Sequence, residues 1–126
     1  MADYLPGYAG PPVVWAWLIF YLSSVPGLKT PLEWDYALRK TAHAFEYAVL
    51  CVLLARAGAG ARLSVRRRAA CALCLAVLYA VTDEYHQSFV PGRFCSSADV
   101  AVDAAGALAG LYLYIRHRSG VAKWKK

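Results

Sequence analysis

Acidic residues are scarce in this chain. Aspartate and glutamate number 8 against 14 lysines and arginines, and charged residues make up 17% of the 126 positions. Soluble globular chains carry about a quarter. From Tyr4 to Leu28, 25 residues, there is no charge at all. Cysteine is limited to Cys51, Cys71, Cys74 and Cys95. Cys71 and Cys74 form a CxxC, "CALC", but it lies in an apolar run with no second CxxC and no nearby histidine. That excludes a zinc or disulfide framework, and both thiols are expected to pack as small hydrophobes. The N-terminal "MADYLPGYAGPP" lacks a basic n-region, so no cleaved signal peptide is expected and the first apolar helix is expected to stay. No helix has a long basic face with interleaved aromatics, so the net charge of +6 is not read as a nucleic-acid footprint.

What is present is apolar. Hydrophobic residues make up 60%, and the mean hydropathy is +0.38. The expected fold is all-α, an integral membrane four-helix bundle formed by a single domain over 1–126. A soluble helical bundle is the alternative. The helices are predicted at about 12–24, 35–57, 65–87 and 97–117, divided by "VPG", by the Gly- and Arg-rich "GAGARLSVRRR", and by "FVPGR", which reads as a tight turn. Helix 3 has 14 uncharged residues between Arg68 and Asp83. Extended to Gln87 it reaches about 28 Å at 1.5 Å per residue. That is enough to cross only if protein or water shields Asp83 and Glu84.

Charge then orders the connectors. Arg56, Arg62, Arg66, Arg67 and Arg68 fall between helices 2 and 3. Arg116, Arg118, Lys123, Lys125 and Lys126 follow helix 4. The positive-inside rule puts both clusters and both termini in the cytoplasm. The polar ends of helices 2, 3 and 4 then meet on the outer side.

Spacing sharpens that meeting. Lys40, His43 and Tyr47 share a face of helix 2, with Glu46 about 60° away. Asp83 and Gln87 share a face of helix 3 with Tyr79. Asp99, Asp103, Gly106 and Gly110 share a face of helix 4, acidic above and small below, so the aspartates are expected to face the bundle. Ionisable groups inside membrane segments usually mark a functional site. The candidate catalytic residues are His43, Glu46, Asp83 and Glu84. The candidate binding residues are Lys40, Gln87, Arg93, Asp99 and Asp103. The plainer readings are that Lys40 snorkels to the interface, Arg93 neutralises the acids, Glu84 and His86 are solvated among headgroups, and the tyrosines only pack. The excess of carboxylates would suit a raised proton affinity or a hard cation such as Mg²⁺.

These residues carry a resemblance. "K..H...Y" from Lys40, "DEYHQSFVPGR" from Asp83 to Arg93, and "S..D...D..G...G" from Ser96 resemble the VanZ-like family, over about residues 37 to 112. The resemblance implies a small multi-pass protein of the bacterial inner (cytoplasmic) membrane. It also implies that the nine candidate residues are the family's polar signature. The family's namesake is associated with low-level teicoplanin resistance, but no established reaction comes with it. Three functions compete: an enzyme acting on a lipid-linked envelope precursor, a protein that binds membrane lipid or glycopeptide without turnover, and a proton-coupled transporter. The transporter reading requires oligomerisation, and the cytoplasmic half offers it no polar path.

Overall fold

Pro6 opens the first helix of the computed structural model, which describes residues 6–26, 31 and 33–124. The order is α1 (Pro6–Ser24), α2 (Asp35–Ala57), a 3₁₀ turn (Gly58–Gly60), α3 (Val65–Gln87) and α4 (Ser97–Trp124). No strand occurs among the described residues. The helices expected at 35–57 and 65–87 appear with those bounds.

The outer bounds differ from expectation. α1 begins at Pro6, not near Pro12. Pro11 and Pro12 lie within its second turn and withhold two i→i−4 donors without ending the helix. α4 continues through the basic segment to Trp124, because nothing there up to Gly120 opposes helix and Gly120 touches no neighbour. Lys125 and Lys126 lie outside the described residues.

Contacts fix the topology. Trp15 Nε1 donates to the Glu46 carbonyl at 2.9 Å, and Tyr79 Oη donates to the Ala16 carbonyl at 2.5 Å. Ser23, near the end of α1, meets Asp83, near the end of α3. At the other end, Ala9 and Pro12 share an apolar recess with Ala57. The bundle therefore runs up-down-up-down, with α2 and α4 parallel. One end holds the end of α1, the start of α2, the end of α3 and the start of α4. The opposite end holds the Arg56–Arg68 connector and the end of α4.

The most extensive contact joins α2 to α4. Gly106 lies directly on the Ala44 backbone carbonyl, and a Cβ on Gly110 would stand 2.7 Å from the Ala48 carbonyl. Only glycine allows this approach, as the small-residue stripe on α4 predicts. Below it, Tyr47, Leu50, Cys51, Ala72, Ala76, Ala80, Ala107 and Leu111 form the core with Ile19.

The outside is strongly apolar. Val13, Trp17, Phe20, Phe45, Leu75, Leu78, Leu108 and Leu113 are all exposed. A continuous exposed apolar surface of this kind marks contact with lipid or another protein. α2 and α4 are each long and apolar enough to cross a membrane, and only 22% of each apolar window is buried. The core helix of a soluble protein would be mostly buried, so the lipid reading fits better. α1 and α3 do not meet the same measure: prolines and glycines dilute the first, and charges occupy both ends of the second. Cys71 and Cys74 correct an expectation. Both lie on the exposed face of α3, while Ala72 and Ala76 fill the core.

Candidate functional site

The polar end gathers all nine candidate residues, and α1 adds a tenth that the sequence did not single out. Ser23 is buried on the last turn of α1, and its Oγ donates to Asp83 Oδ2 at 2.9 Å. Gln87, one turn beyond Asp83 on α3, donates Nε2 to the same oxygen at 3.1 Å and to Ser23 Oγ at 3.3 Å. Asp83 thus joins α1 to α3. Ser23 could have been found as a hydroxyl sharing the Ile19 face of an otherwise apolar helix.

The turn between α3 and α4 supplies the next tie. Arg93 N donates to the Val90 carbonyl at 3.1 Å, with Pro91 and Gly92 between them and Gly92 at φ 80°. This is a type II turn, which needs positive φ at its third position. It turns Arg93 back over the bundle. The guanidinium donates to the carbonyls of Leu22 (3.2 Å) and Val25 (3.2 and 3.3 Å), and to Gln87 Oε1 at 3.4 Å. Those carbonyls lie at the end of α1, where the last helical carbonyls lack i+4 partners, and the Leu22 carbonyl also accepts from the Val25 N–H at 3.4 Å. Arg93 was expected to neutralise the acids. Instead it caps α1, and among the described residues it pairs with no carboxylate.

Glu84 is also placed differently from the solvated reading. It is 2% exposed, and its Oε2 accepts from the Ser96 backbone N–H at 3.2 Å, where α4 begins. His86 is half-buried and stacks on Phe20 with centroids 4.3 Å apart, away from the acids. Lys40 does not simply snorkel: it forms an ion pair with Asp99 across the α2–α4 contact and lies 5.2 Å from the Tyr36 ring centroid. Arg39 pairs with Asp35 at 3.0 Å.

At the centre the accounting changes. His43 Nδ1 is 3.8 Å from Glu46 Oε2 and 3.8 Å from Asp103 Oδ1, too long for hydrogen bonds. Asp103 is 1% exposed and both its oxygens lack a hydrogen-bond partner. Asp83 Oδ1, His43 Nδ1 and the hydroxyl of the fully buried Tyr47 are in the same state, although Tyr47 and Asp83 are neighbours. Buried polar atoms are normally paired, by protein or by water. Tyr47, expected only to pack, therefore belongs to the polar centre.

Two open spaces reach this centre. A cleft of about 400 Å³ is lined by Tyr36, Arg39, Lys40, His43, Arg93 and Asp99, among others. A smaller recess of about 120 Å³ lies against α1, bounded by Leu22, Ser23, Arg39, His43, Glu46 and Arg93. His43 borders both and also faces Asp103. Arg39, Lys40 and Arg93 line the cleft with Asp99, Glu46 borders the recess, and Asp103 lies behind His43. No group of three or more His, Cys, Asp and Glu among the described residues is arranged to hold a metal ion.

An all-helical bundle with two membrane-length helices, an apolar exterior and a polar site at one end defines a small membrane-associated protein. Comparison with known proteins gives the family. The VanZ/LLP1 family model matches residues 11–118, and the chain belongs to that family. No curated protein and no solved structure matched the chain.

Proposed function

We propose that the chain is a multi-pass protein of the bacterial inner membrane whose polar end faces outward and binds a phosphate-bearing headgroup, that of a membrane lipid or a lipid-linked envelope precursor. The observation that carries this reading is the cleft, with Arg39, Lys40 and Arg93 at its mouth and unpartnered carboxylates beneath His43. Guanidinium and ammonium groups are the usual ligands of phosphate. Tyr36 and Phe94 line the same cleft and suit a membrane–water interface. The opposite, arginine-rich end suits the cytoplasm.

In this reading proton transfer belongs to His43 and Glu46, which border open space, with Asp103 behind His43. Asp83 and Glu84 brace the helices around them. Titration of the solubilised full chain with a polyprenyl diphosphate is expected to give saturable binding, weakened at least tenfold by Arg39→Gln with Lys40→Gln. The free polyprenol, which lacks the diphosphate, is the uncharged control, and teicoplanin tests the competing glycopeptide ligand. No saturable binding of the diphosphate overturns the reading. A headgroup recovered altered makes the protein an enzyme; one recovered unchanged makes it a binding protein.

Sidedness has its own test. Cys95 is exposed beside the polar cleft, Cys51 is buried, and Cys71 and Cys74 lie on the apolar exterior. A membrane-impermeant maleimide added to intact cells is expected to label Cys95. Labelling confined to inverted vesicles reverses the orientation.

A further inference from the structure

A further cavity lies at the arginine-rich end, of about 250 Å³, between the start of α3 and the second half of α4. Its wall is apolar, formed by Ala55, Val65, Ala69, Leu111 and Ile115. Arg68 and Arg118 also border it, one from each helix. The Arg68 stem runs past Gly58, where an added Cβ would touch its Cγ at 3.6 Å, and its Nε is shielded from solvent without a hydrogen-bond partner. Arg118 lies 5.8 Å from the Tyr114 ring centroid and donates Nη1 to the Tyr114 hydroxyl at 3.1 Å.

No described acid can balance these two cations. Glu33, Asp35, Glu46, Asp83, Glu84, Asp99 and Asp103 all belong to the polar end of the bundle. Arg56, Arg62, Arg66, Arg67 and Arg116 add further positive charge around the cavity's end. Arg68 is half-buried and Arg118 exposed, and an anion seated at the cavity's edge would be attracted to both. A free anion satisfies the charges but leaves the apolar wall uncovered. A phospholipid satisfies both, with its phosphate between guanidiniums and its glycerol and first methylenes on the wall.

We propose that this cavity is a binding site for an anionic phospholipid, held by Arg68 and Arg118. The site is separate from the polar cleft and does not depend on that cleft's ligand. Full-length protein in mild detergent, titrated with phosphatidylglycerol or phosphatidylcholine and read by native mass spectrometry, tests it. Wild type is expected to retain phosphatidylglycerol at least tenfold better. Arg68→Gln with Arg118→Gln is expected to abolish that preference, and Arg118→Gln alone to reduce it severalfold without disturbing the Arg68 stem. Arg62→Gln with Arg67→Gln removes the same charge from positions that do not border the cavity and is expected to stay within twofold of wild type. Equal loss in both double variants would mean diffuse attraction and overturn the site. So would an unchanged preference in the Arg68/Arg118 pair, no preference in wild type, or displacement of the lipid by inorganic phosphate at equal concentration. Helical content by circular dichroism identifies a misfolded variant, in which case Arg118→Gln decides.

Discussion

The two ends of the bundle handle charge in opposite ways. At the polar end, acids and bases from α2, α3, the α3–α4 turn and α4 meet a serine of α1, and much of the charge is balanced internally. Lys40 holds Asp99, Arg39 holds Asp35, and Ser23 and Gln87 share Asp83. At the other end arginines stand without described acids, beside an apolar cavity. The first end spends its polarity on joining helices and keeps a few acceptors free. The second directs its charge outward, to whatever surrounds the bundle. Side-chain chemistry alone therefore does not define a site here: the polar residues that matter are those whose partners are incomplete.

Substitutions that cut differently at the two ends test this contrast. The largest effect is expected at the helix crossing. Gly106→Leu would drive a side chain into the Ala44 backbone and should cost about 3 kcal/mol or more, while Gly120→Leu, in open space, should stay within about 0.5 kcal/mol. Reversible unfolding in mixed micelles measures both; equal tolerance would deny that the crossing is tightly fitted. Next is Asp83→Ala, which removes the acceptor that Ser23 and Gln87 share and leaves those two buried groups only each other. A loss of about 1–3 kcal/mol is expected, and a neutral result in the same assay would mean that water already serves them. Arg93→Lys keeps the charge but cannot reach three groups at once, so about 1–2 kcal/mol should be lost. Arg67→Lys at the other end should be neutral within about 0.5 kcal/mol. The smallest effect on stability is expected from His43→Ala, whose ring makes no hydrogen bond at Nδ1. Its consequence should fall on headgroup binding or turnover, and unchanged function would remove His43 from the site.

Much of this was legible in the sequence because spacing is geometric. The face shared by Asp99, Asp103, Gly106 and Gly110 specified the inward-facing aspartates, half-buried Asp99 and buried Asp103, and the close crossing. The bounds of α2 and α3 followed from the connectors between them, and the structure adds Ser64, whose hydroxyl accepts from the Arg67 N–H where α3 begins. α1 was underread because Pro11 and Pro12 look like breakers, yet the helix continues through them from Pro6 with two donors withheld. The hydrogen-bond partners of Arg93 were hidden for a different reason. Charge arithmetic pairs it with acids, whereas its partners are backbone carbonyls, which carry no sequence signal. Ser23 and Tyr47 were missed because one hydroxyl in an apolar helix looks ordinary until its neighbours are known. The cavity between Arg68 and Arg118 needs the α3–α4 packing and could not be read from one helix.

Arg93 reaches back 71 positions to Leu22 and 68 to Val25. During synthesis α1 emerges first, but the group that ends it emerges after three helices are made. α2 likewise meets its main partner, α4, only when the chain is nearly finished. A ribosome-bound chain ending before residue 93 would hold Asp83 near Ser23 without the clasp that keeps them together. The site is thus a late product of biogenesis. Protease protection of nascent chains should rise sharply once the type II turn and the first turns of α4 have left the exit tunnel.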